Sequence, residues 1–399
     1  MTSSPIKASG PRVALYAPEF AADPHRVYRE MRERYGSLVP VDLAPGVSAT
    51  LVIGYRAAVQ ILHDPEHFPA DPRMWQRTVP ADCPVRPMLE WRPTASRSAG
   101  MEHARYRRAT VAAIEGLDLH GLHTTVERIA IPLIDSFREA GTAELIEQYA
   151  FPLAFQTINV MLGCSPEIGR RAAAGVTAVF DGVNAEQGNA MLGEAMMELA
   201  ALKRATPGND ITTRLLQHPV GLDDSEVMQQ VIPMYGAGVG PLVNLIANTL
   251  VLILTDERFA GGVLGGSLST RDALDEVLFQ DPPLANFCFS YPRQPVLIGT
   301  VWLPAHQPVV ISMAACNNDP EISGGERTGN RSHLAWGSGP HACPARQAAY
   351  LIAQDAVDQL LDVLPEIRLA ASPEKLIWRP GPLHRALTAL PVTFRPSRP

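Results

Sequence analysis

One cysteine in this chain stands where a metal-bound thiolate would need it. Within the segment His333–Ala345, Cys343 follows the Gly337-Ser338-Gly339 turn, with Trp336 upstream and His341 two residues before it. Glycines lower side-chain bulk so that backbone can approach a metal, and amide N–H groups turned toward sulfur stabilise its thiolate. A helix-like run, Ala348 to Leu364, gives the loop a rigid continuation. A buried structural cysteine in a glycine-rich loop is the other reading of the same residues. A second pattern, Glu102-His103-Ala104-Arg105-Tyr106-Arg107-Arg108, sets His103 and Arg107 four apart. On one helical face they can meet two carboxylates from the same side, although a solvated basic face reads alike.

Together these segments resemble the haem-thiolate signature of the cytochromes P450, and the resemblance covers Tyr16 to Phe394. Asp281-Pro282-Pro283, Leu303-Pro304-Ala305 and Asn317-Asn318-Asp319-Pro320 resemble that family's course between its conserved helix and the cysteine loop. The resemblance implies a mainly α fold with small β-sheets, as one cytochrome P450 domain over residues 16–396 behind a tail of residues 1–15. It implies haem b (iron protoporphyrin IX), with Cys343 as the metal ligand. Trp336, Gly337, Gly339 and His341 would shape the cofactor loop, and His103, Arg107 and His341 would hold the propionates. It also implies a small-molecule substrate, dioxygen, and a ferredoxin-type electron donor with its reductase.

Departures from the family pattern carry as much information. Ala237-Gly238 resembles the start of the oxygen-binding motif, yet Gly240 and Pro241 stand where an acid and an alcohol are usual. Pro241 removes a helix N–H, so it should kink this helix and free a carbonyl. Asn244, about one turn on, is the nearest polar side chain. Glu276-Val277-Leu278-Phe279 replaces Glu-x-x-Arg, which leaves Glu276 either hydrated or paired with another cation, Arg331 or Arg327. The loop Glu321 to Ser332 looks short, and Gly329 to Leu334 resembles a subset of actinobacterial members that also lack that arginine. Trp336 stands for Phe and Ala345 for Gly. In the strand region that usually supplies a propionate-binding arginine stand Phe287, Cys288 and Phe289, with Arg293 nearby.

By position in the family plan, the distal pocket draws on Trp75, Met88, Trp91, Met234, Ala237, Gly238, Pro241, Leu284, Phe287, Cys288, Leu383 and His384. That lining is apolar and aromatic, which suits a planar small molecule. The expected function is a haem-thiolate oxidase or monooxygenase tailoring a secondary metabolite. Loss of the acid and alcohol favours substrates bearing N–H or O–H groups, such as aromatic cyclic dipeptides, and favours C–C or C–N coupling. A simple hydroxylase, a peroxide-using haem enzyme and a haem-binding sensor are the alternatives.

These residues need a mostly helical frame. Helical periodicity runs over Pro24–Tyr35, Tyr55–Leu62, Met101–Ile114, Leu122–Ala140, Thr142–Leu162, Pro166–Asn184, Met191–Thr206, Asp223–Leu254 and Thr270–Gln280. Val39 to Ile53 reads as a hairpin turning at Pro45-Gly46, Ala285 to Ser312 as β-rich, Leu387 to Phe394 as a last strand, and proline-rich Pro69 to Thr94 as irregular. A net charge of −7 and a pI near 5.9 argue against nucleic acid as a partner. Five scattered cysteines without a CxxC pair point to reduced thiols and a cytoplasmic protein. Met1 to Pro11 has no apolar signal core, and Leu242–Leu254 is too short to cross a bilayer.

Overall fold

Side chains able to cap a helix mark where helices begin. Asp23 accepts from the Arg26 amide and Pro24 takes the first position, so Pro24–Tyr35 is helical. Asp210 accepts from the Thr213 amide at 2.8 Å and starts Ile211–Gln217. Asp223 and Glu226 form a reciprocal capping box at the start of Asp224–Gly236. The computed structural model describes residues 6–7, 11–80, 82–181, 185–259, 268–322 and 330–397. Among the described residues the architecture is mainly α with three small sheets.

The chain divides into two compact units, each made of three segments. The first comprises Met1–Ala104, Asp275–Cys343 and Ile377–Thr388. It carries a five-stranded sheet in the order Val13–Ala14, Leu38–Ala44, Val47–Val52, Val309–Ser312, Asn286–Ser290. The hairpin forms as expected, with Gly46 at φ 76° in its turn. Its burial does not alternate, because nearly every residue of both strands is covered. Val41 and Leu51 join an apolar cluster with Tyr28 and Met31, whereas Leu38 and Val52 join another with Ile61 and Phe68. Proline-rich Pro69 to Thr94 is irregular apart from single turns at Trp75–Arg77 and Arg86–Leu89.

The second unit comprises Arg105–Leu274, Pro344–Leu376 and Ala389–Pro399. Helices Leu119–Asp135, Phe151–Leu162, Val239–Thr255 and Arg346–Val363 pack on one another at its centre. Thr142 to Leu162 is not one helix as its periodicity predicts. Thr142–Glu144 is a strand paired with Pro391–Thr393, followed by a π-helical turn at Ile146–Ala150. Its strand partner lies near the other end of the chain, beyond the reach of any local pattern. Helix Pro166–Asp181 forms as expected, and the expected end at Asn184 lies outside the described residues.

The expected long central helix is two helices, Asp224–Gly236 and Val239–Thr255, separated at Ala237-Gly238. Pro241 has no N–H for the Ala237 carbonyl and its ring excludes that oxygen, so the break falls where proline chemistry puts it. Gly238 fits the break closely: a Cβ there would meet the Met234 carbonyl oxygen at 2.1 Å and Ile158 Cδ1 at 2.9 Å. The Asp224–Thr255 stretch as a whole does have the length and hydropathy of a membrane span. However, 56% of its apolar window is buried inside the protein, as in a core helix.

Candidate functional site

The cysteine loop is held from several sides within the first unit. Gly337 and Gly339 adopt φ 67° and 69°, the left-handed region that glycine reaches without strain. That folding lets the Cys343 amide donate to the Trp336 carbonyl at 2.7 Å and the Gly337 amide to the Leu334 carbonyl at 2.8 Å. A Cβ on Gly339 would meet the Leu62 carbonyl oxygen at 2.3 Å, so the loop lies directly on the end of helix Tyr55–Leu62. His63 Nε2 and Ser338 Oγ are 2.7 Å apart at the same junction. Cys343 is partly buried and free of any disulfide.

Asn317 fastens the loop to helix Thr270–Gln280. Its buried amide accepts from the Leu334 N–H at 2.7 Å and donates to the Leu278 carbonyl at 2.9 Å. Asn318 adds a bond to the Phe279 carbonyl at 3.1 Å, so side-chain amides satisfy the helix's last carbonyls. Asp319 accepts from the Tyr55 amide at 2.9 Å and pairs with Arg32 at 3.3 Å. Sequence reading picked out Asn317-Asn318-Asp319 only as a resemblance. Its role as a clamp required the partners, which sit far away in the chain.

One expectation about this helix changes. Arg331 pairs with Asp275 at 3.0 Å rather than with Glu276, whose carboxylate takes the Gln280 amide. One residue along a helix turns a side chain by about 100°, so Asp275 rather than Glu276 faces Arg331. Phe279, at the usual arginine position, packs edge to face on His333 of the loop, with ring centroids 5.1 Å apart. Arg327 and Gly329 lie outside the described residues.

His103 and His341 come together, their ring centroids 4.1 Å apart and tilted by 38°. His103 rides on helix Gly100–Glu115, and Arg107 follows one turn later, partly buried. Each ring can donate an N–H, so a carboxylate beside the pair is a natural complement. Cys288 was expected in the pocket and also packs toward the loop: a Cβ on Gly337 would meet its Sγ at 3.3 Å. Cys288 has φ 53° within a bulge, and burial, with the Cys343 sulfur adding, pushes its thiol up to about 12.

The remaining pocket candidates in the first unit divide. Trp75 is a core residue, 3% exposed, its ring tilted 38° against Tyr291 at 5.7 Å, and Leu383 is buried, its carbonyl accepting from the Asn286 amide. Met88 is exposed, whereas Trp91 lies under the Arg73 guanidinium at 5.2 Å. Leu284 and Phe287 are half-buried, and burial followed by Arg379 holds His384 below the usual imidazole value. In the second unit Ala237 is exposed at the helix break, while Met234, Gly238, Pro241 and Asn244 are partly buried.

A mainly helical chain presenting one thiol on a glycine-cleared loop ahead of a long helix has the architecture of haem-binding oxidoreductases that use a single cysteine. No family model matches the chain. Cytochrome P450 107B1 of Saccharopolyspora erythraea is 29% identical over 96% of this chain and 98% of its own. Cytochrome P450 monooxygenase PikC of Streptomyces venezuelae is 29% identical over 95% of this chain and 93% of its own. The crystal structure of CYP154A1 from Streptomyces coelicolor superposes with a TM-score of 0.84 at 25% identity, covering 96% of this chain and 100% of that one. The chain belongs to the cytochrome P450 superfamily and is an oxidoreductase of the monooxygenase kind. Haem is its cofactor, and it works with a substrate, dioxygen and redox partners.

The residues present suit that group. A single thiol stands on a loop where a Cβ on Gly337 would sit tightly against Cys288 Sγ at 3.3 Å, and the two imidazoles at 4.1 Å can donate N–H to carboxylates. When bound, haem supplies the activation of dioxygen.

Proposed function

We propose that this chain is a haem-thiolate monooxygenase in which Cys343 ligates haem b and His103, Arg107 and His341 hold its propionates. The loop geometry carries this reading: Gly337 and Gly339 turn the chain so that the Cys343 amide closes back on Trp336. A thiol held on such a turn, with little bulk around it, suits a metal ligand. A ferredoxin-type protein and its reductase supply electrons in the cytoplasm.

The chain's own residues then decide which substrates it can handle. At the break between the two central helices, Ala237, Gly238, Gly240 and Pro241 offer no side-chain proton donor. Asn244 is the first polar group along the helix and cannot act as an acid. Protons therefore come from water or from the substrate's own N–H and O–H groups. The half-buried aromatic and apolar side chains of Trp91, Leu284 and Phe287 suit a flat secondary metabolite such as an aromatic cyclic dipeptide, and favour its oxidative C–C or C–N coupling.

A specific observation favours hydroxylation as the second reading. A 2-hydroxy-5-methyl-1-naphthoate 7-hydroxylase of Streptomyces carzinostaticus is 26% identical over 94% of this chain. Reconstitution with NADPH, a ferredoxin and its reductase under labelled dioxygen separates the two. Coupling gives a dehydrogenated product without label, whereas hydroxylation gives a labelled one. Turnover with peroxide alone, and none with the redox chain, would contradict both.

A further inference from the structure

A strap formed by residues 377–388 folds back on itself within the first unit. The Thr388 amide donates to the Ile377 carbonyl and the Arg379 amide to the Ala386 carbonyl, each at 2.8 Å, which closes its base. Its tip is tied to the sheet through Asn286. The Asn286 amide donates to the Leu383 carbonyl at 3.1 Å, and its side chain joins the Pro382 carbonyl to the Tyr28 hydroxyl. The Arg385 guanidinium lies 3.4 Å from the centre of the Trp378 ring and donates to the Ala21 carbonyl at 2.7 Å and to Asp281 at 3.1 Å.

His384, partly buried, faces a small cavity between this strap and the helices Pro18–Ala22 and Pro24–Tyr35. Phe20, Tyr28 and Trp378 give the cavity apolar walls, Arg379 and Arg385 are its charged lining, and among the described residues no carboxylate lines it. A Cβ on Gly381 would meet His384 Cε1 at 2.9 Å, so the ring is packed against its own turn. Helix Pro18–Ala22 contributes only Phe20 and Ala21 to the lining. Helix Pro24–Tyr35 contributes Tyr28, whose phenol burial pushes up to about 12, and it carries His25, which meets Asp281 at 3.0 Å. Burial, and then Arg379, holds the His384 imidazole below its ordinary 6.5. A proton on that ring would place a third cation beside two guanidiniums in a half-dry site.

We propose that residues 377–388 form a pH-sensitive clasp, seated by the neutral His384 imidazole and released at its tip when that ring is protonated. The seated ring takes up a proton less readily than a released one, so the clasp holds above 6.5 and loosens as pH falls below it. Protonating His25 acts in the opposite sense, because it strengthens the hold on Asp281. Release slackens the bonds to Asn286, the first residue of the strand that carries Phe287 and Cys288, and so couples that strand to pH.

Hydrogen–deuterium exchange of the full-length protein at about pH 7.5 and about pH 5.5, corrected for the intrinsic rate at each, tests the clasp. Peptides covering 377–388 should lose about threefold in protection at the lower pH, while those covering the hairpin Leu38–Val52 should not. His384→Gln should remove this pH dependence, and His25→Gln should keep it. If His384→Gln does not fold, His384→Phe carries the same expectation. Equal loss of protection in wild type and in the His384 variants, or no loss in wild type, overturns the proposal. Loss of the dependence in His25→Gln alone also overturns it and assigns the effect to the His25–Asp281 contact.

Discussion

Phe279 and His333 meet edge to face, 5.1 Å between centroids and 82° between planes, both almost wholly buried. This contact ties helix Thr270–Gln280 to the loop that leads to Cys343. In the family that this chain resembles, an arginine at the Phe279 position makes the tie with charge. Here a quadrupolar ring contact, the Asn317 amide bridge and the Asp275–Arg331 pair do so together.

Phe279→Ala should therefore cost about 3–5 kcal/mol of stability, with haem lost at lower temperature than in wild type. Phe279→Leu should cost less than half as much. Phe279→Arg, which buries a cation beside His333, should fall below Phe279→Leu in thermal denaturation. An arginine variant as stable as wild type would show that the ring contact contributes nothing.

The Asp275–Arg331 pair should show coupling in a double-mutant cycle with Asp275→Asn and Arg331→Gln. Arg331 is half exposed, so a coupling of about 0.5–1 kcal/mol is expected. Glu276→Gln with Arg331→Gln should be additive. The reverse pattern would restore Glu276 as the partner.

Much of this frame was legible in the sequence because its signals are local. Asp23-Pro24 announces a helix, Pro45-Gly46 a hairpin, and Pro241 a broken helix, and each acts within four residues of itself. The cysteine loop was legible for the same reason, since glycine, cysteine and histidine spacing is contained in one segment. Strand Thr142–Glu144 was not, because its pairing partner Pro391–Thr393 lies near the opposite end of the chain. Choosing Asp275 over Glu276 for Arg331 depended on helix rotation relative to a distant loop.

Glu226 gives a pH-dependent test within the second unit. Its pKa lies below the ordinary 4.5 chiefly because Arg105 donates to it, and it also receives the Asp223 amide at 3.0 Å. A lowered folded-state pKa contributes stability above the unfolded value, and that contribution is lost as pH falls through the folded value. Glu226→Gln should cost about 1 kcal/mol near neutrality, and the gap to wild type should close below pH 4.5. A gap independent of pH would mean that the carboxylate charge is not involved.

Pro241→Thr tests proton supply at the helix break. The hydroxyl would sit on a turn whose N–H and carbonyl pattern is already broken, so coupled turnover should change less than about threefold. A gain of an order of magnitude would indicate that an alcohol alone restores a relay, and that the substrate supplies no protons.

The sulfur of Cys343 is the centre of the account, and the ferrous–carbon monoxide spectrum reads it most directly. Wild type should show the red-shifted band of thiolate ligation, and Cys343→Ala should lose that band even where haem is retained. A Cys343→Ala protein that binds haem with an unchanged carbon monoxide spectrum would contradict the assignment outright.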